Sequence, residues 1–335
     1  MKIYYRFIIL FFILANSTKL FSQDMHFTQF YSSSLYLNPA FTGANVCSRF
    51  SLTYRDQWPG VAKAYRSYLA SYDNFITKYN VGVGVLVGSD VAGTGRLRTT
   101  IINPLIAYEA KLTKKLYLRL GAQPGVTMKS INYSNLVFGD QIARGGDIPT
   151  IEDPTQTKIY LDIGTGALLY TKKFWAGLSL YHLNRPNETL LGENGTSTLP
   201  IKYSLHSGYK IMLNSEEKDL SKQRSLSPAM NYRAQLEFDQ LDIGFYYTRD
   251  VLNIGLWYRG LPGFKPYKPG YANHDAIAIL IGATKDRFNI GFSYDITISK
   301  LTMRTFGATE LTLSYQMCKL NKKKKKPILV PCPKF

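Results

Sequence analysis

The chain has 335 residues, with 41 Lys+Arg against 23 Asp+Glu, a net charge of +18, and only 19% charged residues. Aromatics reach 14%, with 25 Tyr and 18 Phe, and mean hydropathy is -0.14. This excludes a disordered chain, which needs few aromatics and dense charge, and a polytopic helical membrane protein, which needs several apolar runs of about 20 residues. A large all-β protein remains, either soluble or closed into a membrane barrel.

In chain order, Met1 to Ser22 reads as a secretory signal: Lys2 and Arg6 precede an unbroken apolar run, Phe7 to Ala15, too short to span a bilayer. Export gives the basic charge no nucleic-acid partner to serve. Residues 23–46 precede the first strand and form a candidate plug or docking arm.

From residue 47 onward the text alternates with period two. Leu116, Leu118, Leu120 and Ala122 interleave with Tyr117, Arg119, Gly121 and Gln123; Phe288, Ile290, Phe292 and Tyr294 interleave with Asn289, Gly291, Ser293 and Asp295. Successive side chains on a strand face opposite ways, so one face is apolar and the other polar. Fourteen such strands are expected, near 47–57, 63–76, 80–88, 98–112, 115–130, 157–171, 173–182, 200–212, 225–237, 240–249, 251–261, 272–285, 287–297 and 308–319. An even count, with short turns alternating with long loops at 131–156, 183–199, 260–271 and 298–307, predicts a transmembrane antiparallel β-barrel of the bacterial outer membrane, bathed in its lipid, with both termini periplasmic. Two connections break the pattern: Asn214 to Arg224 is long where a short turn belongs, and Asp239–Gln240 is short where a loop belongs. Tyr31, Trp58, Tyr65, Tyr72, Trp175, Trp257 and Tyr258 fall near strand ends and fit interfacial girdles. Residues 320–335 make a basic periplasmic tail carrying the run Lys322 to Lys326.

The polar face predicts a charged lumen: Arg49, Arg55, Arg119, Asp162, Lys202, His206, Lys210, Arg233, Glu237, Asp242, Arg259, Arg287, Asp295 and Glu310. Opposite charges at this density suggest a network across the lumen; a water-filled charged pore is the plainer reading. Of three cysteines, Cys47 opens the first strand and Cys318 closes the last, so barrel closure brings both to one rim. A bridge from Cys47 to Cys318 or Cys332 is one reading, and three thiols is the other. His26, His182, His206 and His274 lack metal-ligand spacing, and the acidic loop Asp140, Asp147, Glu152 and Asp153 reads as solvated. Glycines at Gly82, Gly84, Gly164 and Gly166 sit inside strands, where they relieve crowding. No catalytic constellation, cofactor or metal is expected.

The most specific text is Gln23, Phe27-Thr28-Gln29, then Asn38-Pro39-Ala40 with Gly43, then Tyr54-Arg55-Asp56-Gln57-Trp58. It resembles the PorP/SprF family of outer-membrane proteins associated with the type IX secretion system of gliding bacteria. The resemblance implies a barrel without enzyme activity that supports export or surface retention of a secreted adhesin, recognised through its C-terminal sorting domain. Contact with periplasmic ring or motor proteins is also implied. The Asn-Pro-Ala element is similar to the plug of fatty-acid transporters as well, so a passive or substrate-specific channel is the alternative.

Overall fold

A computed structural model describes residues 24–45, 47–61, 65–133, 136–146, 149–151, 157–190, 195–214, 224–236, 238–261, 273–299, 305–317 and 330–332. The expected signal segment, Gln23, Glu237, Cys318 and the Lys322–Lys326 run lie outside the described residues.

The strands are β1 (Arg49–Gln57), β2 (Tyr65–Ile76), β3 (Val81–Ala92), β4 (Leu97–Lys111), β5 (Tyr117–Ser130), β6 (Thr157–Tyr170), β7 (Phe174–Tyr181), β8 (Lys202–Tyr209), β9 (Ile211–Met212), β10 (Arg224–Gln235), β11 (Phe238–Arg249), β12 (Leu252–Gly260), β13 (His274–Lys285), β14 (Phe288–Thr297) and β15 (Ala308–Gln316). β8 and β9 both pair with β10 and are one strand interrupted at Lys210, so the wall has fourteen strands. Every neighbour is antiparallel, and β15 pairs with β1 from Arg49↔Gln316 to Gln57↔Ala308. That pairing closes the sheet and removes its edges.

Alternation sets the faces as expected. On β4, Ile102 and Ile106 point outward at 52% and 51% exposure, while Ile101, Asn103, Leu105 and Ala107 are buried. An apolar outer face of this kind suits lipid. Among the described residues no helix is long and apolar enough to cross a membrane, which says nothing of strands.

Three expectations shift. β3 runs to Ala92 and a four-residue turn leads into β4, with Gly93 and Arg96 at φ 67° and 49°; Ser89 and Asp90 continue the strand rather than start a loop, with Asp90 on the inner face. The β10–β11 hairpin turns at Leu236, φ 54°, with Gln235↔Phe238 closing it, three residues before the expected Asp239–Gln240 connection. Trp175 and Trp257 are buried in the lumen, not in an interfacial girdle, because their parity on β7 and β12 is inward. Trp58 and Tyr65 do pack edge to face near the long-loop rim, at 5.7 Å.

Inside the wall lie residues 24–45, almost all buried. Their only regular pieces are one helical turn, Ser34–Leu37, and a 3-10 turn, Pro39–Phe41, which Asn38 caps by accepting from the Ala40 N–H at 2.9 Å. Val330 and Cys332, expected in a periplasmic tail, are also buried, in one apolar cluster with Phe30, Tyr31, Tyr246 and Trp257. Their apolar character distinguishes them from the Lys run before them. Cys47 is disulfide-bonded.

Candidate functional site

The site is the filled lumen. Segment 24–45 enters near the long-loop end at Asp24, descends to the short-turn end at Tyr31, and climbs back partway before leaving by Asn45 toward β1.

At its start, Asp24 meets Lys202 at 2.5 Å and His182 Nε2 at 2.9 Å, and His182 Nδ1 meets Asp162 at 2.9 Å. Burial alone would favour a neutral Asp24 carboxyl, but Lys202 and His182 outweigh it and hold the carboxyl far below its usual range. Burial likewise opposes charge on His182, yet Asp24 and Asp162 push it up to about 9. His26 is the opposite case: burial, then Arg233 and Arg259, lower it well below an ordinary histidine. It stays neutral and accepts from Gln240 at 3.2 Å and from Arg233.

The next level is a charged lattice between the segment and β1, β10, β11, β12, β14 and β15. The backbone N–H groups of Thr28 and Gln29 donate to the two oxygens of Glu310, at 2.7 and 3.0 Å. The Thr28 hydroxyl donates to Asp295 at 2.7 Å and accepts from Arg55 at 2.7 Å and Arg259 at 2.8 Å. Arg55 bridges Asp295 and Glu310; Arg259 bridges Asp242 and Asp295; Arg233 pairs with Asp242 at 2.7 Å. Three arginines thus face three buried carboxylates. Balance of this kind is what makes buried charge tolerable, because an ion left unpaired keeps its full desolvation cost.

The opposite wall, β3 to β8, holds the Asn38–Gly43 turn by shape. Asn38 Nδ2 donates to the carbonyls of Ala167 and Leu178, at 3.0 and 3.1 Å, and lies 3.2 Å from His206 Nε2. Arg119 donates to the Ala40 carbonyl at 2.9 Å and to that of Thr42, and reaches Glu109 at 2.5 Å. The turn presses directly on strand backbone: a Cβ at Gly82 would lie 1.9 Å from the Thr42 carbonyl oxygen, and one at Gly121 would lie 2.4 Å from the Ala40 nitrogen. No side chain fits there, so these strand glycines are a seat for the turn rather than simple relief of crowding. Gly43, at φ 69°, donates its N–H to Asp73 at 2.9 Å, and Asp73 also takes Arg49 at 3.0 Å. At the bottom Trp175 donates to the Tyr31 hydroxyl at 2.9 Å, and Phe30 meets Trp257 edge to face at 4.8 Å.

The motif residues therefore converge. Phe27, Gln29, Asn38, Pro39, Ala40 and Gly43 line the segment, and Arg55 receives it; Gln57 and Trp58 sit at the rim of a cavity above it. Tyr54 faces outward against Tyr68, ring centroids 5.1 Å apart. Arg287, predicted in the lumen, sits in the turn before β14 and donates to the Tyr315 hydroxyl at 3.3 Å. Thr28 was read only as motif text, and Asp24, Asp73 and Glu109 were not singled out. Strand parity would have found the last two, which share the inward set of β2 and β4. Asp140 accepts from Thr150 at 2.8 Å and the Ile151 N–H at 2.9 Å, and among the described residues no group of His, Cys, Asp or Glu could hold a metal ion.

Above the segment, toward the long loops, is a cavity of about 500 Å³ lined by residues of β1 to β8, by Asp24, Met25, His26 and Tyr36, and by Phe238.

The family model of the type IX secretion system membrane protein PorP/SprF matches residues 19–315. No curated protein matches. Among solved structures, the chain is similar to the Pseudomonas putida toluene transporter TodX at 10% identity, covering 85% of this chain and 94% of that one, TM-score 0.45. It is also similar to BamA from Haemophilus ducreyi lacking POTRA domains 1-3, at 9% identity, covering 81% and 70%, TM-score 0.41. Those likenesses are too distant to carry function, whereas the family match spans most of the chain: it belongs to the PorP/SprF family of type IX secretion system membrane proteins, as an outer-membrane β-barrel.

Proposed function

We propose that this barrel is a docking part of the secretion and gliding machine rather than a conduit. Its loops 131–156, 183–199 and 260–271 face outward and hold or guide a secreted adhesin through that protein's C-terminal domain. The observation that supports this most is the filled lumen: segment 24–45 bonds to strands all round the wall, leaving function to surfaces. In this orientation the start of β1 and the end of β15 open to the periplasm, where the basic tail meets ring or motor proteins. Residues 24–45 serve as the plug rather than as a docking arm, since their polar groups are spent on the wall.

The test is purification of the tagged chain from its native outer membrane in mild detergent, with mass spectrometry of what accompanies it. The expected companion is a large surface protein retained through its C-terminal domain. Periplasmic ring proteins alone would assign the chain to the core of the machine instead, and a barrel recovered bare would contradict the docking reading.

A further inference from the structure

We propose that the two turns at residues 113–115 and 171–173 together bind the phosphate headgroup of an anionic glycerophospholipid, whose acyl chains lie on the outer face of β4 to β7.

The two turns share one text and one build. Thr113, Lys114 and Lys115 lie between β4 and β5, and Thr171, Lys172 and Lys173 lie between β6 and β7. Thr113 Oγ1 accepts from the Lys115 and Leu116 N–H groups at 3.3 and 3.1 Å. Thr171 Oγ1 accepts from those of Lys173 and Phe174 at 3.3 and 3.0 Å. The hydroxyls fold both turns locally and leave the four lysines exposed.

Register sets the turns side by side. β5 pairs with β6, and Tyr117↔Tyr170 is the pair at the short-turn end. The turns therefore stand level and two strand spacings apart, roughly 10 Å. Four ammonium groups on flexible stems can converge from there on one headgroup.

The wall offers these cations no counter-charge. Among the described residues the lysines that pair with a carboxylate are Lys129 and Lys202, not these four. Glu109, the one described carboxylate on the short-turn halves of β4 to β7, lies on the inward face. It is held there by Arg119 and by the Tyr170 hydroxyl at 2.7 Å. A surface kept only for solubility mixes both signs; four like charges on adjacent turns repel one another and favour an anion.

Position selects the source of that anion. Tyr108, Leu120, Phe174 and Leu178 point outward from the same strands and are exposed. Phe174 follows Lys173 directly, so the cations begin where the lipid-facing surface ends, at the level of the headgroups. Phosphate there accepts charge-assisted hydrogen bonds from the ammonium groups, as basic clusters beside a membrane attract anionic lipid. An acidic protein would meet the lysines from the water side and leave the apolar residues unused.

The test is native mass spectrometry of the purified full-length barrel in mild detergent with four probes: tetraoleoyl cardiolipin, dioleoyl phosphatidylglycerol, dioleoyl phosphatidylcholine and hexaglutamate. Both anionic lipids should remain bound at concentrations at least about tenfold below that needed for phosphatidylcholine. Changing Lys114, Lys115, Lys172 and Lys173 together to Gln should abolish that preference. Changing Lys78, Arg249, Lys285 and Arg287 to Gln removes the same charge from other turns and should leave the preference within about twofold. Both variants should retain the heat-modifiable gel migration of a folded barrel. Equal retention of phosphatidylcholine, a preference that survives the first variant, or an equal loss in the second would overturn the proposal. Hexaglutamate held as tightly as cardiolipin would also overturn it, by making the turns a docking patch for an acidic protein. None of these outcomes depends on what co-purifies with the barrel, so the adhesin reading stands or falls separately.

Discussion

Two halves of the plug are held by different physics. Residues 24–30 are fixed by charge: Thr28 and Gln29 give their backbone N–H groups to Glu310, inside a lattice of Arg55, Arg259, Asp242 and Asp295. Residues 38–43 are fixed by fit: carbonyls point at Arg119 and Asn38 points at strand carbonyls, over glycines whose missing side chains let backbone meet backbone. The first anchor is a set of partners that rearrange when one is lost. The second is a surface that a single methyl group spoils.

The largest effect should therefore come from the smallest change. Gly82→Val or Gly121→Val places side-chain atoms where plug backbone lies, and the barrel should fold with its plug unseated. Limited thermolysin digestion with mass spectrometry should then find cuts near Phe27, Phe30 and Leu35, all buried in the parent; continued protection would remove the steric half of the comparison. Next is Arg55→Ala, which leaves buried Glu310 without a cation and Asp295 with Arg259 alone and should cost about 3–5 kcal/mol, read as a lower urea midpoint. The paired variant Arg55→Met with Glu310→Leu should recover part of the loss.

Asn38→Ala should cost about 1–3 kcal/mol, from an uncapped turn and two unmatched carbonyls. The Asp24–His182 contact predicts a pH dependence. His182 is raised to about 9, so its contribution is complete below the ordinary histidine value of about 6.5 and is lost as pH rises through 9. Asp24 is depressed, so its contribution is complete above the ordinary aspartate value of about 4 and is lost only as pH falls below it. The plug entrance should be tightest between about pH 4 and 6.5 and loosen toward pH 9, seen as faster amide exchange around Asp24 to Phe27 than around Asn38 to Gly43. The smallest effect belongs outside the lumen: Arg66, at 64% side-chain exposure and 3.8 Å from Asp56, should cost no more than about 0.5 kcal/mol when changed to Ala.

The wall was legible because parity is a strict code. Alternation over Phe288 to Tyr294 assigns each side chain to lipid or lumen without knowledge of its partner, and closure follows from an even count. The hairpin at Leu236 escaped because alternation continues through Phe238, and a left-handed φ at a leucine leaves no mark in composition. The charged residues of the strands were legible as a set, but their pairing was not, since partners such as Arg55 and Asp295 are far apart in sequence and meet only through closure. The inward tryptophans follow from the same parity, which outranks the preference of Trp for interfaces once a lumen is filled. Segment 24–45 has no periodicity at all; its conformation is imposed by the wall, and only its unusual text marked it. The same holds for Val330 and Cys332, whose burial beneath Phe30 and Tyr31 no local pattern announces.

The central claim is that the plug fills the barrel and leaves it a binding body. Planar-bilayer conductance of the purified chain tests this most directly, with Gly82→Val beside it. The account predicts a silent parent and open, stable channels in the variant; open channels of the same size in both would contradict it.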